Sequence, residues 1–239
     1  MPVLLLLLFS IALSVGIGIV ILVLRSRQGA ENPETGLVST SFQEQPCTFR
    51  WPGCWLAIRS TNPFAVQSAL RLHNAKSCSW IEGLACEEKL FIAPAVKGWI
   101  LVMGSGLPDP SDDVDVCFRF LIQLSRKLGQ VQFFSANRVL RYHAWAKADR
   151  GRIVRAYAWA GKTLWHQGPR TPAETELGLK CFDYLEVPDS GVFSQPDVLS
   201  LNVDKVPFLA ARWSIDPGRI DARFLQMERG IAGEPHWRY

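Results

Sequence analysis

The amino-terminal stretch of the chain is the feature that most limits how the protein is arranged. Residues 3–24 include no charged side chain over 22 consecutive positions, and Arg25 and Arg27 follow directly. A helix rises about 1.5 Å per residue, so this stretch spans about 33 Å and can cross the roughly 30 Å hydrocarbon core of a bilayer. The sequence therefore predicts a transmembrane anchor within residues 1–25, with the lipid bilayer as a partner through residues 3–24.

A cleaved secretory signal is the competing interpretation of this stretch. Such a signal normally has a basic start, an apolar run of roughly 7–15 residues and a small-residue cleavage site. Here no basic side chain precedes Val3, the apolar run is longer, and it lacks an Ala-x-Ala ending. We therefore predict an uncleaved, single-pass signal-anchor. Because flanking Lys and Arg tend to remain in the cytosol, Arg25 and Arg27 predict an external N-terminus and a cytoplasmic C-terminal domain.

The rest of the chain divides into a linker and a domain. Residues 26–45 are polar and contain proline, which is typical of a linker. Residues 46–239, about 190 in number, are enough for a single globular domain with its own core. The net charge is +4 and the basic residues are dispersed. This mild balance does not indicate a nucleic-acid partner.

Cysteine use depends on the side of the membrane. A reducing cytosol keeps the six cysteines as thiols. Cys47 and Cys54 are seven positions apart, and Cys78 and Cys86 are eight apart. These separations exceed the Cys-x2-4-Cys spacing of structural zinc sites, so no metal site is predicted. If the domain were exported instead, disulfides Cys47–Cys54 and Cys78–Cys86 would be the alternative.

Hydrophobic periodicity predicts an α+β fold. Short apolar or alternating segments bounded by glycine, proline or turn residues predict strands at 54–59, 90–93, 98–103, 131–135, 142–148, 152–160 and 163–167. Capping residues and three- to four-residue spacing predict helices at 63–72, at 111–128, from 171, from 197 with Pro207 beginning or kinking the 208–213 segment, and at 216–227. Hairpins followed by helices favour a meander of antiparallel strands packed against helices.

The meander places a row of polar aromatic side chains on one face. A three-residue turn in the first hairpin predicts Trp145 opposite Arg155 and His143 opposite Tyr157, and a two-residue turn in the second predicts Tyr157 opposite His166. His143, Tyr157 and His166 then form one row across three strands. The other face carries small side chains suited to close packing against helix 114–128: Ala144, Ala146, Val154, Ala156, Ala158 and Ala160.

What covers the aromatic face decides its meaning. We expect the C-terminal helices to bury it, so that its polar groups are hydrogen-bonded structure and Trp145 stacks on Arg155. In the alternative, part of the face is an open concave site with Trp145, Arg155 and Trp159 as binding residues for an anionic or planar ligand. No catalytic residue is assigned, although a hydrolase-like enzyme would use His143, Tyr157 and His166.

Local motifs for chemistry are absent from the sequence. Gly104-Ser105-Gly106 has Asp109 in place of a third glycine, and the acidic residues after it would repel a pyrophosphate. Glu174 and Glu176 fall on what should be an exposed helix start, where they cap free backbone N–H groups. No Walker lysine, His-Glu-x-x-His or Gly-x-Ser-x-Gly motif occurs. We predict no cofactor and no metal.

The leading functional hypothesis is a membrane-anchored module that binds a protein partner at the cytoplasmic membrane face. An immunity-like or scaffold role would be one instance of this function. Such a module could use a flat apolar patch, for example around Trp51, Trp55 and Trp80. The alternatives are a membrane-tethered hydrolase built on the His143, Tyr157 and His166 row, and an exported, disulfide-bonded domain.

Overall fold

The chain folds around one antiparallel sheet. A computed structural model describes residues 53–85, 89–184, 186 and 197–236. Nine strands in these residues form a single sheet with helices packed on it, which confirms the α+β class and the antiparallel meander. None of the helices in the described part of the chain is long and apolar enough to cross a bilayer. The predicted anchor at 3–24 and linker at 26–45 lie outside the described residues.

The described elements are strands and helices in mixed order, with four consecutive strands, the fifth to the eighth, followed by three helices. The strands are β1 (Cys54–Arg59), β2 (His73–Cys78), β3 (Leu90–Ile92), β4 (Trp99–Met103), β5 (Gln130–Asn137), β6 (Tyr142–Asp149), β7 (Arg152–Trp159), β8 (Thr163–Gln167) and β9 (Gly230–Glu234). The helices are α1 (Pro63–Leu70), α2 (Trp80–Ala85), α3 (Val114–Leu128), α4 (Pro172–Glu176), α5 (Asp197–Trp213) and α6 (Ala222–Met227). The strand order in the sheet is β2-β9-β3-β4-β1-β5-β6-β7-β8.

Helix α3 forms where its apolar spacing predicts it. The Asp113 side chain caps the helix by accepting a hydrogen bond from the Val116 N–H at 3.0 Å, so the helix begins three residues later than the earliest predicted start. Gly129 ends it with a positive φ of 80°. The buried side of the helix, which includes Cys117, Leu121 and Leu124, packs on β5, β6 and β7.

The alanine face of the meander lies under α3. Ala144, Ala146, Ala156 and Ala158 are buried in the same core cluster as the apolar side of that helix. This confirms the predicted packing of small side chains against the helix. The prediction is wrong at the two ends of β7, because Val154 is 47% exposed and Ala160 lies beyond the strand in the turn.

Three elements were not predicted from the sequence. The polar segment after α1 contains β2 and α2, and the C-terminal segment contains β9. β9 lies between β2 and β3, so the end of the chain completes the sheet. The close approach of β9 depends on Gly230, because a Cβ there would collide with the Phe91 ring and the Ile92 carbonyl oxygen.

The C-terminal helices also differ from the prediction. The segment from Asp197 is one helix, α5, with Pro207 inside it, so the proline does not begin a separate helix. The last predicted helix divides into a 3-10 turn at Pro217–Arg219 and the short helix α6. Helix α5 packs on β5 and β6, on the face of the sheet opposite α3.

Candidate binding site

The turn between β6 and β7 has two residues instead of the predicted three. Asp149 pairs with Arg152, and only Arg150 and Gly151 remain in the turn. A bulge next to Ala148 then moves the pairing by one more residue. The predicted register is therefore displaced by two residues along most of the hairpin.

This displacement changes the neighbours of each side chain but not its face. Trp145 lies opposite Tyr157 instead of Arg155, and His143 lies opposite Trp159 instead of Tyr157. Since side chains alternate between the two faces with a period of two, a two-residue displacement keeps the aromatic row on the side that was predicted. A one-residue displacement would have put it under α3.

The second hairpin has the predicted register at the row. Tyr157 pairs with His166, and their rings meet edge to face with centroids 5.6 Å apart. His143 and Tyr157 have no exposed surface, while the His166 side chain is 21% exposed at the sheet margin. The aromatic face forms one core cluster with α5 side chains such as Leu209. The expectation that C-terminal helices bury the row is therefore confirmed at its first two members.

Burial makes His143 a neutral structural residue. Its ring is stacked between Trp145 and Trp159, and the Asn202 Nδ2 group donates a hydrogen bond to His143 Nε2 at 3.2 Å. Burial lowers the pKa of His143 to about 3, because the charged imidazolium would lose its hydration. A substrate would have to reach a side chain that has no exposed surface.

The other two members of the row are also engaged within the fold. The Tyr157 hydroxyl oxygen accepts a hydrogen bond from the Phe182 backbone N–H at 3.1 Å, and burial raises the pKa of Tyr157 to about 12. His166 Nδ1 lies 2.8 Å from an Asp183 carboxylate oxygen. The row therefore connects the meander to the segment after α4, and of its three members His166 alone has exposed surface.

The predicted binding residue Arg155 already holds an anion from its own chain. Arg155 Nε lies 2.8 Å and 3.1 Å from the two Glu174 carboxylate oxygens, and both side chains are fully buried. The indole N–H of Trp145 donates to the same carboxylate at 2.8 Å. The backbone N–H and the hydroxyl of Thr171 donate to its second oxygen at 2.7 Å and 2.9 Å. Glu174 thus closes a capping box, as expected, but it is buried and not exposed.

The remaining donors of Arg155 are satisfied as well. Its Nη1 group donates to the backbone carbonyls of Ala156, Gln167 and Gly168 at 3.1–3.3 Å, and its Nη2 group donates to the Cys181 sulfur at 3.3 Å. The guanidinium lies over the Tyr157 ring, 5.8 Å from the centroid, and does not stack on Trp145 as predicted. The predicted binding residues Trp145, Arg155 and Trp159 are all buried. Trp145 and Arg155 hold α4 against the sheet through Glu174, and Trp159 packs in the same core cluster as Trp145.

Two of the three tryptophans of the proposed apolar patch, Trp55 and Trp80, are not at the surface. Trp55 is buried and stacked on Phe134 with ring centroids 5.3 Å apart, and Trp80 is buried against Phe91. Trp51 lies outside the described residues. The β1 tryptophan and the α2 tryptophan were both expected at the surface, and both are core residues.

The described cysteines show how burial affects the thiols. Cys54, Cys117 and Cys181 are thiols in this structure. Burial raises the pKa of all three, that of Cys181 to about 11, so they are poor nucleophiles at neutral pH. Cys47 and Cys86, the other halves of the two alternative disulfides, lie outside the described residues.

The surface offers a different candidate, a groove between α1 and α3. Its volume is about 650 Å³. An apolar floor is formed by Val116, Phe120 and Leu124 of α3. Its walls carry permanently charged or basic side chains: Arg71, Arg119, Arg126, Lys127 and His236. None of the described residues that line this groove is acidic.

The cations of the α1–α3 groove are available to an external anion. Arg71, Arg119, Arg126 and Lys127 are all exposed, and none forms an ion pair with another residue in the described part of the chain. Lys127 Nζ donates one hydrogen bond to the Ala69 carbonyl at 3.2 Å, which leaves its other donors for a ligand. Sequence patterns missed this site because α1, α3 and the end of β9 are far apart in the chain.

The fold and the site define a class of protein. It is an α+β protein with one antiparallel sheet whose strand order differs from the chain order, an aromatic face covered by helices, and a basic surface groove. No family model, curated protein or solved structure matches this chain. Functional inference therefore depends on the chemistry of its own surface.

Proposed function

We propose that this chain is a single-pass, membrane-anchored protein whose α+β domain binds an acidic segment of a protein partner at the cytoplasmic membrane face. The observation that carries the proposal is the α1–α3 groove, in which several exposed cations surround an apolar floor. An immunity-like or scaffold role would be an instance of this function. The anchor at residues 3–24 and the cytoplasmic Arg25 and Arg27 supply the location.

The composition of the groove favours a polypeptide with both acidic and apolar side chains. Guanidinium groups make bidentate hydrogen bonds to carboxylates, and the apolar floor offers burial for one or two hydrophobic residues between them. A nucleic acid would need a longer track of cations along its phosphates. Opposite charges across the interface would also speed association and make it dependent on salt.

Site-directed photocross-linking tests the proposal in native membranes. A photoreactive residue at Gln123, which lies exposed in the groove, is expected to cross-link to one protein at an acidic segment. The same residue at Phe208, on α5 at the other face of the sheet, is the matched control position. Equal cross-linking from both positions, or cross-linking to lipid alone, would contradict the proposal.

Charge reversal then tests the recognition itself. Arg119→Glu with Arg126→Glu is expected to reduce the cross-link from Gln123 about tenfold or more, as two charge-assisted contacts are lost. Lys76→Glu with Arg223→Glu makes the same change in net charge at exposed sites outside the groove and is expected to leave the yield unchanged. Replacing the partner's cross-linked carboxylates by lysine should restore binding to the Arg119/Arg126 variant only.

A further inference from the structure

The turn between β5 and β6 exposes two aliphatic side chains at its apex. Val139 is 92% exposed and Leu140 is 70% exposed, and they are flanked by Arg138 and Arg141. Scattered hydrophobic residues are common on surfaces, but an adjacent pair on a turn between two arginines has the composition of a membrane-interface anchor.

The turn is held in a defined shape that presents these side chains outward. The Leu140 N–H donates to the Asn137 side chain at 3.0 Å, and the Arg141 N–H donates to the Arg138 carbonyl at 3.3 Å. Arg141 adopts a left-handed backbone conformation with φ of 50°. Exposure of Val139 and Leu140 is therefore built into the hairpin and does not come from a frayed end.

The chain enters the domain beside this turn. The Gly53 carbonyl accepts a hydrogen bond from the Ala136 N–H at 2.7 Å, and Cys54 pairs with Ser135. Gly53 and Leu140 line the same cavity of about 750 Å³ at this end of the sheet. Twenty-eight residues, 25–52, separate the predicted span from Gly53. In the proposed membrane location, a 28-residue connection with the reach of a random chain, about 30 Å, would allow this end of the domain to contact the bilayer.

The charges around the apex are mixed, with two cations unpaired. Arg138 pairs with Asp204 at 2.6 Å. Arg141 and the exposed Lys162 of the β7–β8 turn form no ion pair among the described residues. Asp109 and Asp112 line the cavity that Leu140 shares. Anionic headgroups can therefore contact the two unpaired cations while the aliphatic pair enters the apolar boundary.

We infer that the β5–β6 turn, residues 138–141, inserts Val139 and Leu140 into an anionic lipid leaflet and so fixes the orientation of the domain on the membrane. The turn is separate from the α1–α3 groove. β5 begins directly after α3 and runs eight residues to Asn137, which places the turn roughly 25 Å from the C-terminal end of α3. Insertion would leave that end of the groove facing the cytosol. The inference rests on the membrane location in the proposed function but not on its protein partner.

Limited trypsin digestion of the full-length protein in vesicles tests this inference. Trypsin cuts after Arg141 in the turn and after Arg150 in the β6–β7 turn at the other end of β6, and both residues are exposed. In phosphatidylcholine vesicles containing about 30% phosphatidylserine, cleavage after Arg141 is expected to be about tenfold slower than after Arg150. In pure phosphatidylcholine the protection should be smaller, as the unpaired cations lose their anionic partners.

A matched pair of variants identifies the groups responsible. Val139→Ser with Leu140→Ser should abolish the protection at Arg141, and Phe64→Ser, which changes a 67% exposed side chain on α1, should not. Equal cleavage at Arg141 and Arg150 in both vesicles would overturn the inference. Protection without vesicles that grows with protein concentration would also overturn it, because a second copy would then cover the turn.

Failure of the turn to insert can be told apart from failure of the proposed function. Loss of the membrane anchor would appear as protein that does not float with the vesicles, whereas a turn that does not insert would float without protection at Arg141. The cross-link from Gln123 reports the protein partner independently, and it is expected to persist in the Val139→Ser, Leu140→Ser variant.

Discussion

Replacing Glu174 by glutamine would remove the negative charge from the buried cluster while keeping the size of the side chain. The Glu174 carboxylate accepts hydrogen bonds from Arg155, Trp145 and Thr171, and the carboxylate and guanidinium have no exposed surface. Both oxygens of the Glu174 carboxylate accept hydrogen bonds. Whichever way a glutamine amide is turned, its N–H₂ group therefore faces a donor in place of one of these oxygens. The Arg155 cation would then lie in the core without a counter-charge.

The expected loss is about 3–5 kcal/mol in the free energy of unfolding, the range for breaking a buried ion pair by removing one partner. For a domain of about 190 residues this corresponds to a fall in Tm of about 6–20 °C. Thermal unfolding of the full-length protein in mild detergent, followed by tryptophan fluorescence, measures it. Glu176→Gln is the matched control, because that carboxylate pairs with Arg212 while more than half exposed.

A double-mutant cycle separates the charge from the hydrogen bonds. Arg155→Met with Glu174→Gln removes both charges, so the double variant should be more stable than the sum of the two single effects by about 2 kcal/mol. Strict additivity, or a Glu174→Gln variant within about 0.5 kcal/mol of the wild type, would refute the reasoning that a buried charge pair holds α4 on the sheet.

Two further perturbations test other parts of the core. In the folded state the pKa of His143 is about 3, so this side chain stays neutral at pH 5. In the unfolded state its pKa is about 6.5, so it binds a proton at pH 5. Lowering the pH from 7 to 5 should therefore remove about 2 kcal/mol from the free energy of unfolding through this residue. His143→Gln should therefore lose less stability than the wild type between pH 7 and pH 5, and equal losses in urea titrations would contradict this. Gly230→Ala should cost about 1–3 kcal/mol by forcing a Cβ into the Phe91 ring and the Ile92 carbonyl. Phe91→Leu should recover part of that loss if the ring is the obstacle.

Elements with strong local signals were predictable. Helix α3 has a cap, an apolar stripe and a terminal glycine within 17 residues, and each signal is read from neighbours in the chain. Except at the exposed Val154, the faces of β6 and β7 were predicted correctly because alternation depends only on odd or even position. Their exact pairing was not, since the bulge next to Ala148 has no local signature.

Elements that depend on distant partners were missed. β2 is polar and mostly exposed, and it is a strand because β9 lies beside it about 150 residues later. β9 contains two glycines in five residues, which lowers its intrinsic strand propensity but permits close packing on Phe91. In both cases tertiary contacts override a weak local preference. The α1–α3 groove was missed for the same reason.

The buried cluster shows why a correct chemical reading led to the wrong kind of site. In the open-site alternative Arg155 and nearby aromatics would bind an external anion; they do bind an anion, but it is Glu174 of the same chain. Pattern reasoning identified the cation and the indole donor because both lie in one hairpin. It placed the carboxylate at the surface because nothing local indicates that α4 folds back onto that hairpin.

If the pocket is a true carboxylate site, an external carboxylate should occupy it when its own is removed. Glu174→Ala leaves the Arg155 and Trp145 donors around a vacated volume that matches acetate. At a ligand concentration ten times its Kd, binding to the folded state alone would restore about 1.4 kcal/mol, measured as a rise in Tm. Sodium chloride at the same ionic strength controls for screening, and Glu176→Ala controls for general effects of acetate. An equal rise with chloride, or in the control variant, would show that the pocket does not select a carboxylate.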